Sequence, residues 1–150
     1  MKNNKNESCF IDSNIWLYAL LSSEKPEEEK KSHIAHKLII NNDSRIIIST
    51  QVINEVSVNL LKKSRTDNEK LMRIIQSFYE KYEVVILNRK TLLDACHLRQ
   101  KYNLSFWDSL LVSSALFSSA KYLYSEDMQH NLIVNEKLLI VNPFIESGFF

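Results

Sequence analysis

Four carboxylates in this 150-residue chain, Asp12, Glu55, Asp108 and Asp127, carry its clearest chemical signal. Asp12 ends the apolar run Cys9-Phe10-Ile11, and small polar residues follow it at once. Asp127 comes just after Tyr122-Leu123-Tyr124, in Ser125-Glu126-Asp127. Asp108 lies at the start of an apolar helical pattern, and Glu55 lies in the first turns of another. Each acid alone has an ordinary structural reading. Asp108 follows Ser105 by three, as in a capping box. Glu55 flanks the apolar stripe of its helix, Asp12 can cap the helix after it, and Asp127 can be a turn residue. Brought together they would repel, and their pKa values would rise unless a cation sat among them. A hard, oxygen-loving divalent ion is the natural counter-charge. Mg2+ suits best, because it keeps several waters and needs only one or two direct carboxylates. Mn2+ is a substitute of similar preference.

Whether the acids meet depends on the elements that carry them. Strand patterns fall at residues 9–12, 45–49, 83–87, 121–124 and 138–141, with the β-branched run Ile46-Ile47-Ile48 in the second. Helical periodicity covers 14–22, 27–41, 50–63, 67–82, 90–102 and 106–120. The apolar stripes include Val52, Ile53, Val56 and Leu60 in the third helix, Leu71, Ile74, Ile75 and Phe78 in the fourth, and Leu93, Ala95 and Leu98 in the fifth. Ser49 or Thr50 is placed to cap the third. Strands alternating with helices imply right-handed crossovers and a mainly parallel sheet of about five strands, covered by helices on both faces. Ligands bind at the carboxyl ends of such strands. Asp12 and Asp127 would lie at that edge. Asp108 would too, because its helix runs antiparallel to the strand that follows. Glu55 leaves the second strand near the same edge.

Composition narrows the class without choosing it. Apolar residues make up 45% and charged residues 25%, as in an ordinary globular domain, and the length suits one domain over 1–150. No run approaches a membrane span, and residues 1–8 read as a short polar extension without a signal core, so the expected location is the cytoplasm with no membrane partner. The net charge of +1 offers no strong general field for nucleic acid, so any such surface must be local. Candidate backbone-contacting bases are Lys62, Lys63, Arg65, Arg89, Arg99 and Lys101, with a solvated helix face as the ordinary alternative. Cys9 and Cys96 are isolated in apolar patterns and are expected to be buried free thiols. His33 and His36 share a helix face without a third ligand. His97 is expected to pack on its helix, and His130 to orient a water, a phosphate or its own loop. Trp16, Tyr18, Trp107, Phe149 and Phe150 are expected mostly in the core. An aspartyl phosphatase would need a second Asp two residues after Asp12, and that position is Asn14.

The run Phe-Ile-Asp-Ser-Asn-Ile-Trp-Leu-Tyr-Ala at 10–19 resembles the first motif of PIN-domain proteins. Ile-Ser-Thr-Gln-Val-Ile-Asn-Glu-Val at 48–56 resembles the second, and Ser-Phe-Trp-Asp-Ser-Leu-Leu at 105–111 the third. Leu-Tyr-Ser-Glu-Asp-Met-Gln-His at 123–130, with Ile140-Val141-Asn142-Pro143-Phe144, resembles the last. By these motifs the chain is similar to VapC-type toxins of bacterial toxin–antitoxin pairs. The resemblance implies a three-layer α/β/α domain and a Mg2+- or Mn2+-dependent endoribonuclease; because a near-neutral chain lacks a strong general field, the expected substrate is a structured RNA, such as a tRNA or rRNA loop. It implies a cognate antitoxin and a homodimer as partners. Its acids map to Asp12, Glu55, Asp108 and Asp127, with Asn14 as a polar site residue. Ser13, Ser125 and Glu126 stand beside them as possible supports. A housekeeping RNA-processing nuclease, or a non-catalytic RNA- or protein-binding module, is the alternative; the second would fit a lost acid, and none is lost. Asn131 departs from the pattern where relatives often carry Gly, and Asn tolerates positive φ better than most residues.

Overall fold

The apolar tripeptide Cys9–Ile11 forms β1 with all three residues buried. A computed structural model describes residues 7–145, so Phe149, Phe150 and most of the polar N-terminal extension lie outside the described residues. After β1 come α1 (Ser13–Leu20), α2 (Pro26–Asn42), a 3-10 turn (Asp43–Arg45) and β2 (Ile46–Ser49). They lead to α3 (Thr50–Lys63), α4 (Asn68–Lys81), β3 (Glu83–Val85), α5 (Arg89–Tyr102) and α6 (Phe106–Phe117). The chain closes with β4 (Tyr122–Tyr124), β5 (Ile133–Val134) and β6 (Leu138–Val141). Capping side chains fix several helix starts: Ser49 accepts the Val52 N–H, Asp67 that of Lys70, and Ser105 that of Asp108.

The strands form one sheet in the order β3-β2-β1-β4-β6-β5. All neighbours are parallel except β5 and β6, within a three-layer α/β/α arrangement. Phe10 pairs with Ile47 on one side and Leu123 on the other. The chain therefore steps outward from β1 to β2 and β3, then returns to β1's other side with β4. That reversal leaves a crevice at the carboxyl ends of β1 and β4, where ligands bind in open sheets. Phe10, Ile48, Leu123 and Ile140 from the sheet, with Ile15, Val52, Val56 and Val112 from helices, are fully buried. Among the described residues no helix is long and apolar enough to cross a membrane.

Three expectations need correction. The sheet has six strands rather than about five, because the two-residue β5 pairs with β6 across a turn that lacks an Asn-Gly or Asp-Gly signal. Asn135 and Glu136 both take positive φ there, at 50° and 59°. The Tyr102 hydroxyl steadies the turn, accepting the Asn135 N–H at 2.8 Å. On α5 the buried stripe is Thr91, Ala95 and Leu98, which turns Leu93, Cys96 and His97 outward. Trp107 is 63% exposed, whereas Trp16 is 4% exposed, as expected of a core residue.

Trp16 joins the sheet to two helical segments. Its Nε1 donates to the Ile11 carbonyl at 3.2 Å, and its ring meets Phe78 edge-on at 5.2 Å and Tyr82 at 5.6 Å. Trp16→Ala should lower unfolding free energy by ~3–5 kcal/mol through cavity formation. Urea denaturation followed by far-ultraviolet circular dichroism measures this, and a loss below ~1 kcal/mol would contradict the packing role.

Candidate active site

Asp12 closes β1, and its backbone N–H donates to the Tyr124 carbonyl at the end of β4 at 2.9 Å. This hydrogen bond places the carboxylate at the crevice. The side chain is buried, 6% exposed. Its Oδ1 accepts the Ser13 N–H at 2.7 Å at the start of α1, and its Oδ2 accepts the Ser125 hydroxyl at 2.9 Å. Burial pushes the Asp12 carboxyl up to about 6, against hydrogen bonds from Ser125 and Ser13 that lower it, while the charges of Glu55 and Asp108 raise it further. Asp108, half-buried in the first turn of α6, is raised chiefly by burial and then by the charges of Asp127 and Glu55. The four acids therefore feel one another.

Asp12, Glu55, Asp108 and Asp127 line a single cleft of about 260 Å3, with Ser13, Asn14, Gln51, Asn59, Trp107 and Leu111 completing its wall. The small polar residues face the acids. The Ser13 hydroxyl donates to Glu55 Oε2 at 2.7 Å, and Asn14 Nδ2 donates to Asp127 Oδ2 at 2.9 Å. The Ser125 hydroxyl also accepts the Asp127 N–H at 3.2 Å, so one serine holds two acid-bearing residues. Ser13, Asn14 and Ser125 thus spend donors on carboxylates.

Gln51 and Trp107 belong to the cleft and were not singled out from sequence as site residues. Gln51 Nε2 donates both to Glu55 Oε1 at 3.0 Å and to the Trp107 carbonyl at 3.2 Å, tying α3 to the start of α6. Its Oε1 is buried without a hydrogen-bond partner. The four-residue spacing from Gln51 to Glu55 on one helix was an available signal. Nothing in the sequence marks Trp107 as exposed.

Other candidates fall elsewhere. Glu126 does not line the cleft; it pairs with Lys31 and accepts the Tyr18 hydroxyl at 2.8 Å. Lys31 also lies over the Tyr18 and Phe144 rings, at 5.2 and 5.4 Å. None of Lys62, Lys63, Arg65, Arg89, Arg99 and Lys101 lines the acidic cleft, although Lys63 borders the adjoining hollow that shares Asn14. His33 and His36 open onto different hollows. His130 Nδ1 accepts the Asn142 N–H at 3.0 Å, a role within its loop, and Asn131 beside it has φ 65°.

The donor set is all oxygen and mutually repelling, which suits Mg2+ or Mn2+. Among the described residues no group of three or more His, Cys, Asp and Glu side chains is drawn together closely enough to hold a metal ion as it stands. A small ion that retains most of its waters needs fewer direct ligands.

The chain belongs to the PIN-domain family, whose model matches residues 9–133. Among solved structures it is similar to a toxin–antitoxin complex from Klebsiella pneumoniae, at 18% identity and TM-score 0.68, covering 91% of this chain and 98% of that one. It is similar to DNA-bound VapBC from Salmonella typhimurium, at 14% identity and TM-score 0.63, covering 89% and 96%. It is also similar to VapC20 from Mycobacterium tuberculosis, described as a toxin cleaving the sarcin–ricin loop, at 13% identity and TM-score 0.61, covering 77% and 87%. At these identities the likeness is one of fold. No curated protein sequence matches the chain significantly.

The raised Asp12 carboxyl has a signed consequence for the metal-free protein. Its folded pKa of about 6 exceeds the ordinary value of 3.8. The folded state therefore holds the proton more tightly. The stability linked to this proton is present below about pH 4 and is lost as pH rises through about 6. With a chelator present, the unfolding free energy of wild type minus that of Asp12→Asn should fall by about 2–3 kcal/mol across that window. Denaturant titrations at pH 4 to 8 measure the difference, and a flat one would refute the assignment.

Proposed function

We propose that this chain is a Mg2+- or Mn2+-dependent endoribonuclease, the toxin of a toxin–antitoxin pair, that cuts one or a few bonds in a structured RNA. The observation that carries the proposal is the convergence of Asp12, Glu55, Asp108 and Asp127, from four separate segments, on one cleft of a PIN-domain chain. Support comes from relatives of the same fold that are toxin–antitoxin complexes, one of them containing DNA, and from the RNA-cleaving description of VapC20. A cognate antitoxin then has exposed apolar side chains available on α3 (Val58, Leu61) and α4 (Met72, Tyr79). A homodimer is part of the same proposal.

Asp12, Asp108 and Asp127 would hold the ion directly or through water, with Glu55 outermost. When bound, a divalent ion there makes a water more acidic and offsets charge on the phosphate oxygens. The rest is the work of the chain. Ser125 and the Ser13 N–H fix both Asp12 oxygens, the Ser13 hydroxyl aims Glu55, and Asn14 aims Asp127. Three of the four carboxylates thus hold fixed directions before substrate arrives, which preorganised catalysis requires. Phosphate is repelled by the bare cleft, because four carboxylates line it and, among the described residues, no Lys or Arg does. A near-neutral chain gathers RNA poorly by field alone, so specificity should follow RNA shape and unpaired bases. A tRNA anticodon loop or an rRNA loop meets both conditions.

Two outcomes are expected. Mg2+ or Mn2+ should raise the melting temperature, by an amount equivalent to about 2.7 kcal/mol at a hundred times the dissociation constant, and Asp12→Asn or Asp108→Asn should shrink the response. Brief induction followed by sequencing of new RNA 5′ ends should show one or a few dominant sites, absent in the Asp12→Asn control. Ends scattered across the transcriptome, or shared with the control, would count against the proposal. Cleavage without growth arrest, from a gene with no small neighbouring reading frame, would point to RNA processing instead.

A further inference from the structure

We infer that Trp107 is a base-stacking platform at the mouth of the acidic cleft, taking the face of an unpaired RNA nucleobase next to the cleaved bond. The inference deepens the ribonuclease proposal and rests on it. Trp107 precedes Asp108 in the first turn of α6 and lines the same cleft as the four acids. Its ring is left to solvent at 63% exposure, in a chain whose other tryptophan is buried. Exposed apolar side chains are common on this chain, and Trp107 is set apart from the other large ones by lining the acidic cleft with an amphipathic ring.

Trp107 is held at its ring and at its backbone. Phe106, itself exposed, meets the indole edge-to-face at 5.8 Å. Gln51 holds the Trp107 carbonyl with the same amide group that holds Glu55. The backbone at Trp107 and the Glu55 carboxylate are thus tied to one another through a single residue.

The cleft's chemistry favours an RNA base over a protein segment. Apart from Trp107 and Leu111, its wall is acidic or polar, so an apolar helix would find no groove there. No cation in the wall holds the phosphate backbone. Base–aromatic stacking is sequence-tolerant, because every base presents a π-face. It requires an unstacked base, so loops and single strands are favoured over duplex.

The test compares wild type, Trp107→Ala and Trp107→Phe as full chains with Mg2+ on a hairpin RNA carrying the mapped cleavage site in its loop. Trp107→Ala should raise KM by about 5- to 100-fold with kcat nearly unchanged, as expected for lost uniform binding. Trp107→Phe should recover most of the affinity, and the melting temperature should hold in both. In parallel, a single-stranded oligoribonucleotide of about ten nucleotides should quench wild-type tryptophan emission saturably, and Trp107→Phe should remove the quenched component and leave that of Trp16. An active wild type with unchanged KM in Trp107→Ala overturns the inference and leaves the ribonuclease proposal standing. A changed oligomeric state or antitoxin affinity with unchanged KM also overturns it, and assigns the aromatic pair to a protein contact. Saturable quenching without any cleavage supports stacking and removes the nuclease reading. Neither quenching nor cleavage removes both.

Discussion

A carboxylate buried at the end of the central strand is the constraint around which this structure is arranged. Burying a charge is costly unless donors meet it. Asp12 receives the Ser13 N–H at the start of α1 and the Ser125 hydroxyl just past β4. Both donors exist at that point only because β1 lies next to β4 and runs directly into α1. Slip the β1–β4 register by one residue and Asp12 loses Ser125 while every side chain of the strand changes face. Burial first, and then the charges of the neighbouring acids, raises the Asp12 and Asp108 carboxyls. The core of Phe10, Ile48, Val52 and Leu123 therefore supports an arrangement that carboxylates alone would not choose. A stable frame carrying a locally unfavourable site is the usual exchange of stability for function.

The strand-and-helix alternation was readable because each element's period is strong and its ends are marked by caps. Ile46-Ile47-Ile48 reads as a buried strand, and Val52, Val56 and Leu60 read as one helix face. Once the alternation is known, the carboxyl edge follows, and with it the meeting of Asp12, Glu55, Asp108 and Asp127. What could not be read depends on side-chain direction in three dimensions. The Asn14–Asp127 hydrogen bond joins residues 113 positions apart, and no local pattern reports it. Glu126 looks equivalent to Asp127 in sequence, yet the two adjacent residues diverge, one toward Lys31 and one into the cleft wall. Cys96 and Leu93 sit in an apolar-looking helix whose buried stripe is set by Thr91 and Ala95 instead. β5 lacks a sequence signal for a different reason. Its turn reaches positive φ through Asn135 and Glu136 rather than through glycine, and hydrogen bonds from Tyr102 support what glycine would have made easy.

Lys31 shows how a residue outside the cleft still bears on it. Its ammonium lies over the Tyr18 and Phe144 rings and pairs with Glu126, so α2, α1 and the chain after β6 meet at one point. Asn142 joins them by donating to the Glu126 carbonyl at 3.4 Å. The loop carrying Asp127 is held from behind by this cluster and from the front by Asn14 and Ser125.

The sheet's two outermost strands are β3, with three residues, and β5, with two. A foreign strand laid alongside either would gain only a few backbone hydrogen bonds before the ladder ran out, which is how natural sheets discourage edge-to-edge aggregation. A polypeptide that grips this protein would gain little by lengthening the sheet, and the exposed apolar side chains of the helices offer it more. Its selectivity would then reside in which apolar residues it presents at helical spacing, and two copies of the chain would have to associate through the same kind of contact.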